Sequence, residues 1–453
     1  MDVIIIGGGK VGRTLLANLN NEGHNVSLID IKREVVEYIQ DEYDVLCIEG
    51  SGTDINVLEE AGVRHCDLII AVTQMDEYNV LCGIMAKKKG AKCCVARVRN
   101  PEYYKQLDFM RDDLEINMIV NPEFMAANDI ARRLRLPEAM TADVFANGRA
   151  ELVQIKVNES SPLIGKPLSK IYSAYKVKVL ICAVLRDGQI TIPNGDFVLK
   201  GGDRIHISST HTDVLKFIRL VGVDVHAIKS VMIIGGGRIS YYLARALAEN
   251  GMRVKIIEHN PERCQILSEA LPKASIVCAD GTDKSTLIEE GIYHVDALVS
   301  LTGIDEENVI ISLFAKQCGV DKVITKINRL SFGDMIEALG LDSIVTPQDI
   351  TADIILSYAR AMENADRTDS DEIKTLYRII GNSAEAIEFV AGENSRLINR
   401  ALKDIRLKKN IIIAAMLKGN KIIIPDGNTI VENGDSVIIV TTNRLKQLND
   451  ILD

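Results

Sequence analysis

The chain has 453 residues, room for roughly two to four domains. Its 53 Lys and Arg are outnumbered by 63 Asp and Glu, for a net charge of −10, which disfavours a surface built to neutralise nucleic-acid phosphates. With 47% apolar and 26% charged residues it has the balance of folded globular domains, and apolar runs such as Val179 to Leu185 and Ile411 to Leu417 are strand-length, far short of the roughly 20 residues that span a bilayer.

No basic leader precedes the first apolar run, Val3 to Ile6, so the expectation is a chain that stays in the cytoplasm. The nine cysteines include no C-x-x-C pair and read as reduced thiols. Cys47, Cys94, Cys182 and Cys278 lie in apolar runs, and are expected to pack as small hydrophobes.

From the N-terminus, a predicted strand runs directly into Gly7-x-Gly9-x-x-Gly12, which opens a helical pattern carrying Val11, Leu15 and Leu19. A second strand ends at Asp30. Gly7 permits the tight turn, Gly9 lets backbone amides approach a pyrophosphate, Gly12 lets helix and strand pack closely, and the helix start favours negative charge. Asp30 is placed to accept hydrogen bonds from ribose hydroxyls and to repel a 2′-phosphate, which favours NAD or NADH over NADP; ATP or ADP could use the same cleft. Lys10 reaches phosphate or sits as a solvated charge at the helix start. After the third strand comes Gly52-Thr53-Asp54, beside an adenine or as a helix N-cap. After the fourth comes Thr73-x-x-Asp76-Glu77-x-Asn79, at the strand ends where open α/β sheets bind ligands, with capping by Asp76 the other reading. Arg97 ends the fifth strand and would face a phosphate or a neighbouring subunit. His65 precedes the fourth strand, away from that edge, and reads as structural.

A shorter unit follows. Runs at Glu151 to Val157, Val177 to Leu185 and Arg204 to Ser208 are broken by Asp187-Gly188, Pro193-Asn194-Gly195 and Gly201-Gly202, the punctuation of hairpins in a small α+β domain.

The pattern then repeats. Gly235, Gly237, Arg238, Ile239 and Glu258 match Gly7, Gly9, Lys10, Val11 and Asp30, but Ser240 replaces the third glycine. Asp280-Gly281-Thr282 and Thr302 match the later loops, and Lys326 matches Arg97. Leu397-Ile398, Pro425-Asp426-Gly427 and Gly434-Asp435 repeat the smaller unit. The expected architecture is α/β: a tandem duplication of a Rossmann-like parallel-sheet domain followed by a small α+β domain. The boundaries are set at 1–138, 139–224, 225–365 and 366–453, near Pro137, Asp224 and the polar stretch Asn364 to Glu372.

These glycine loops, the acid after strand two, the G-T-D and T-x-x-D-E-x-N loops and Leu163 to Leu168 (L-I-G-K-P-L) resemble the RCK/KTN family. The resemblance implies a non-enzymatic cytosolic regulator at the inner face of the membrane. It would assemble as dimers or a tetrameric ring and gate an integral-membrane potassium-translocating subunit through nucleotide-dependent shape changes. It also implies a dimer-forming crossover helix at Met125 to Leu136 and at Ile350 to Ala361, with Ile130 matched by Ile355. A divalent-cation ligand is implied at Glu123, in Asn121-Pro122-Glu123, which the second copy replaces with Thr346-Pro347-Gln348.

An NAD-dependent oxidoreductase is the rival class. It would bring a catalytic residue or metal against the nicotinamide. His206 and His211 of the first small unit have no matching histidine in the second, where Ile439 and Asn443 lie near the corresponding places. No basic DNA-reading helix is present, and nucleic acid is not expected as a partner.

Overall fold

The computed structural model describes residues 1–100, 113–134, 140–145, 150–221, 228–328, 339–341, 343–365, 372–379, 384–419, 421–445 and 447–453. The predicted boundaries at 138/139 and 224/225 lie outside these residues, and that at 365/366 falls at their edge.

The first large unit is a six-stranded parallel sheet, ordered β3-β2-β1-β4-β5-β6. Its strands are β1 (Asp2–Ile6), β2 (Asn25–Asp30), β3 (Leu46–Glu49), β4 (Leu68–Ala71), β5 (Cys93–Arg97) and β6 (Met118–Val120). The connecting helices are α1 (Lys10–Asn21), α2 (Arg33–Glu42), α3 (Ile55–Glu60) and α4 (Asp76–Lys89), and α5 (Pro122–Leu134) follows β6. β1 is apolar without alternation because both faces are covered. Val3 and Ile5 enter one core, Ile4 and Ile6 the other.

The first small unit is an antiparallel sheet ordered β10-β9-β11-β8-β7. It contains β7 (Met140–Phe145), β8 (Ala150–Lys156), α6 (Ile171–Tyr175), β9 (Leu180–Arg186), β10 (Gln189–Thr191), β11 (Arg204–Ser209) and α7 (His211–Val221). The second large sheet repeats the first order as β14-β13-β12-β15-β16-β17. Its elements are β12 (Ser230–Ile234), α8 (Arg238–Glu249), β13 (Arg253–Glu258), α9 (Pro261–Ala270), β14 (Ser275–Cys278), α10 (Lys284–Glu289), β15 (Ala297–Ser300), α11 (Asp305–Gln317), β16 (Lys322–Lys326), β17 (Ile344–Val345) and α12 (Pro347–Ala365). The second small sheet, β18-β19-β22-β20-β21, comprises β18 (Glu372–Ile379), β19 (Ala384–Val390), β20 (Ile411–Lys418), β21 (Lys421–Ile423) and β22 (Ser436–Thr441). The repeated Gly-Asp has a local cause: Asp203 accepts from Lys200 N at 2.8 Å and both arms of Arg186 at 2.7 Å, and Asp435 accepts from Glu432 N at 2.8 Å.

The large units exchange helices. Ala127, Ile130 and Leu134 of α5 join the core built on β12 and α8, whereas Ala352, Ile355 and Leu356 of α12 join the core built on β1 and α1. Ile130 and Ile355 are both fully buried. Met125 and Ile350 are partly buried beside the cores of their own units, and Leu136 is outside the described residues. The small sheets also share a core, in which Cys182 and Ala183 meet Ala386, Ala414, Ala415 and Ile438. His206 is buried with both ring nitrogens unpartnered. Its counterpart, reached from Gly202-Asp203 and Gly434-Asp435, is the buried Ile438 rather than Ile439.

Buried charges join the units. Arg360 of α12 reaches Glu22 at the end of α1 and bonds Glu385 of β19 at 2.9 Å, while Arg444 lies 3.3 Å from Glu22. Cys47, Cys94 and Cys182 are buried as expected, but Cys278 is exposed, because edge strand β14 leaves its last residue uncovered.

Candidate functional site

Gly7 and Gly235 turn the chain out of β1 and β12 with φ of 104° and 95°, a region that costs glycine nothing. A Cβ on Gly12 would stand 1.9 Å from the Gly7 carbonyl oxygen, so α1 rests directly on the turn. Ser240 occupies that place in the second loop, and its hydroxyl donates to the Gly235 carbonyl. The clash thereby becomes a hydrogen bond. Gly9 and Gly237 are the N-caps of α1 and α8, with no side-chain cap and no acid in either first turn. The first-turn amides are thus left without a side-chain cap, as an anion site requires.

The carboxylates of Asp30 and Glu258 tie each strand end to its glycine loop. Asp30 accepts from Gly8 N at 2.7 Å and Lys32 N at 2.9 Å; Glu258 accepts from Gly236 N at 2.6 Å and Asn260 N at 2.8 Å.

Both glycine loops open on one cavity of about 1020 Å³, at the upper end of ligand-pocket sizes. The first unit contributes Gly7, Gly9, Lys10, Val11 and Asp30, then Gly52, Thr73, Arg97 and Glu123. The second contributes Gly237, Arg238 and Ile239, with Ser240, Lys326 and Gln348. A Cβ on Gly9 would meet nothing within 4 Å; the loop therefore leaves room for a ligand.

The remaining predicted positions do not line this cavity. Gly12 and Gly235 are packed inside their loops. Asn79 is fully buried and clamps two strand ends, accepting from Thr73 N at 2.8 Å and donating to the Arg97 carbonyl at 2.9 Å. Asp76 accepts from Arg99 N and Asn100 N, both at 2.8 Å. Asp54 caps α3, and Thr53 bonds Ser51. In the second unit Asn308 binds Thr302 N at 2.8 Å, and Asp280 accepts from Thr282 N at 2.9 Å. Glu258, Gly281 and Thr302 lie outside the lining as well. These loop polar residues hold the cleft's frame.

Lys326, Arg99, Arg13 and Gln348 also line the cavity. Lys326 and Gln348 follow from carrying Arg97 and Glu123 across the repeat, whereas Arg99 and Arg13 sit at positions without a motif. Burial lowers the Lys326 pKa, and the positive charge of Lys10, from the other unit, lowers it further. Arg97 lies 3.5 Å from Glu123, and Arg97 Nε and Glu123 Oε2 have no hydrogen-bond partner. Glu123 thus faces a guanidinium, and among the described residues no group of three His, Cys, Asp or Glu could hold a metal ion. The cavity presents more cationic than anionic groups, with uncapped helix starts and orphaned polar atoms, which suits a phosphate-bearing ligand.

Two Rossmann-like units with facing glycine loops, each followed by a small antiparallel domain, define a tandem RCK-type protein. Family profiles described as the TrkA-N domain match residues 3–122 and 231–347, and those described as the TrkA-C domain match 152–222 and 386–453. The chain belongs to the TrkA family. It is 36% identical over 440 residues to the Trk system potassium uptake protein TrkA homolog of Archaeoglobus fulgidus, covering 97% of each chain. It is 32% identical over 455 residues to Trk system potassium uptake protein TrkA of Haemophilus influenzae, covering 98% of this chain and 96% of that one. These relatives carry potassium-uptake rather than oxidoreductase names. The solved GsuK RCK domain superposes with a TM-score of 0.63 at 18% identity over 97% of this chain and 92% of that one. The GsuK channel bound to NAD superposes at 0.62 and 18% identity, over 97% and 76%. Both are likenesses of fold. No helix among the described residues is long and apolar enough to cross a membrane.

Proposed function

We propose that this chain is the nucleotide-responsive regulatory subunit of a potassium uptake system. It would lie at the cytoplasmic face of the membrane and act on an integral-membrane potassium-translocating subunit as a dimer or tetrameric ring. The observation that carries this reading is the single cavity bounded by both glycine loops and by Lys10, Arg97, Arg238 and Lys326. NAD or NADH is the favoured occupant, with ATP or ADP competing for the same clefts. The GsuK channel, which shares this fold, has been solved bound to NAD and, at a TM-score of 0.51 to this chain, GsuK has been solved bound to ADP.

In this reading Asp30 holds the ribose and the start of α1 receives the phosphates. The second unit's Lys326, which lies within electrostatic reach of Lys10, completes the charge around them. An anion placed there relieves the repulsion between the two cations, so binding favours the arrangement that keeps the units together. A ligand that prefers one arrangement shifts its population by that difference in affinity, with no bond made or broken.

Titration calorimetry of the full chain with NAD, NADH, ATP and ADP tests this. Asp30→Ala should weaken the first cleft at least tenfold, roughly the value of a charged hydrogen bond. Lys326→Met should weaken the same cleft although it lies in the other unit. Unchanged affinity in both variants would remove this cavity from the mechanism, and turnover of NADH with an acceptor would move the protein to the oxidoreductases.

A further inference from the structure

Two cysteines flank the strand end that holds the second glycine loop. Cys278 closes β14, pairs in register with Glu258 of β13 and is exposed. Cys264 is buried in the first turns of α9, and its thiol donates to the Glu258 carbonyl oxygen at 3.2 Å. That oxygen also accepts from Ala279 N at 3.0 Å. Both sulfur-bearing residues thus converge on Glu258, and the two thiols lie close enough that each affects the other's ionisation. The Glu258 carboxylate, on the same residue, holds Gly236 N at 2.6 Å and Asn260 N at 2.8 Å. One short path therefore runs from an exposed sulfur to the glycine loop.

The first unit has no such pair. Val36 stands where Cys264 does, and Glu49, paired in register with Asp30, stands where Cys278 does. Any thiol chemistry here would act on one cleft and leave the other as an internal reference.

We propose that Cys264 and Cys278 form a reversible disulfide under peroxide, and that this bond resets the nucleotide affinity of the second cleft. The second half of the proposal rests on the nucleotide reading above; the first does not. The exposed Cys278 reacts first. Its thiolate attacks one oxygen of hydrogen peroxide, the O–O bond breaks, one water leaves and Cys278 becomes a sulfenic acid. The sulfur of Cys264 then attacks the Cys278 sulfur, the S–O bond breaks, and the departing hydroxyl takes the Cys264 proton as a second water. Two thiols and one peroxide thus become one disulfide and two waters, with two electrons passing from sulfur to oxygen. A dithiol reductant reverses it by exchange. Burial pushes the Cys264 thiol up to about 11, which leaves the exposed Cys278 as the sulfur that meets peroxide first. Once the bond forms, the Glu258 carbonyl loses its S–H donor and α9 is drawn toward β14. Glu258 and the glycine loop it anchors must follow.

The full chain, treated with hydrogen peroxide and alkylated, would be mapped by mass spectrometry before and after reduction. We expect a cross-linked peptide pair containing Cys264 and Cys278, two hydrogens lighter than the separate peptides, absent in Cys278→Ser and in Cys264→Val. In an Asp30→Ala background, which isolates the second cleft, oxidation should change affinity for NAD or ATP by about fivefold or more, the lower range of allosteric couplings. Reductant should restore it, and Cys278→Ser should be insensitive. Oxidation of Cys278 to sulfinic acid without the cross-link would overturn the disulfide. A complete cross-link with unchanged affinity would overturn its regulatory role. Failure of the reduced chain to bind nucleotide at either cleft would sink the functional reading, while the peptide map judges the disulfide on its own.

Discussion

At Gly12, one methyl group decides whether the first glycine loop can exist, since a Cβ there would lie 1.9 Å from a backbone oxygen. Gly12→Ala should cost about 1 to 3 kcal/mol, the range for forced overpacking, and abolish binding in the first cleft; denaturant unfolding and titration read the two effects. Ser240→Gly should cost only about 0.5 to 1.5 kcal/mol, the worth of the hydrogen bond to Gly235 that it removes. His206 provides a pH test. Burial brings its pKa down to about 4, so between the ordinary histidine value and that point the unfolded chain binds a proton that the folded chain refuses, and stability falls as pH drops. His206→Ile, which copies the second unit's Ile438, should raise stability and flatten that slope, measured as Tm against pH between about 4 and 6.5. The residues legible in the sequence were those whose chemistry dictates a spacing: Gly7, Gly9, Asp30 and their repeats. Arg99 and Arg13 were not, because a side chain that reaches a cavity from a loop or helix start leaves no periodic trace. Asn79 and Asp76 were visible as a repeated motif, yet a motif that clamps two strand ends and one that grips a ligand look alike until the hydrogen bonds are known.

At the scale of elements, the parallel sheets were readable because doubly covered strands have to be apolar without alternation, as Val3 to Ile6 of β1 and all of β4 are. What α5 and α12 pack against was not, since an amphipathic stripe has the same spacing whether it covers its own sheet or another. Those two helices carry a direct prediction. Ile130→Ala and Ile355→Ala should each cost about 2 to 5 kcal/mol, the usual range for emptying a packed core position. Each should loosen the unit opposite the one that contains the mutation. Hydrogen exchange would locate the effect: for Ile130→Ala, lost protection on β12 and α8 fits the helix exchange, and loss confined to β1 and α1 contradicts it.

At the scale of the molecule, the network of Glu22, Arg360, Glu385 and Arg444 ties the first large unit to both units of the second half. Burial alone would raise the Glu22 pKa, but the His24 ring 3.7 Å away, the hydrogen bonds from Arg360 and the charges of Arg360 and Arg444 bring it down to about 2. Its contribution is therefore complete above the ordinary carboxylate range and disappears as pH falls toward 2. Arg360→Met should destabilise the chain by about 3 to 5 kcal/mol, because two buried carboxylates lose their partner. It should also shift acid unfolding to higher pH, followed by circular dichroism. The duplication was legible from the first pair of glycine loops, whereas the joining of both clefts into one cavity was not: it depends on which faces meet, and paired charges such as Glu22 and Arg360 stand 338 positions apart.

The helix exchange has a consequence for how this chain can change over time. Two separate copies of one gene product would have to keep both clefts alike, since each copy plays both parts. Here each half is tethered to the other and never needs to find it in solution, which by the arithmetic of linked modules amounts to a standing concentration on the order of millimolar. Each half can then specialise without losing its mate. Ser240, Cys278 and Gln348, all on the second side, differ from their counterparts Gly12, Glu49 and Glu123, so the two halves of one chain need not answer a ligand alike.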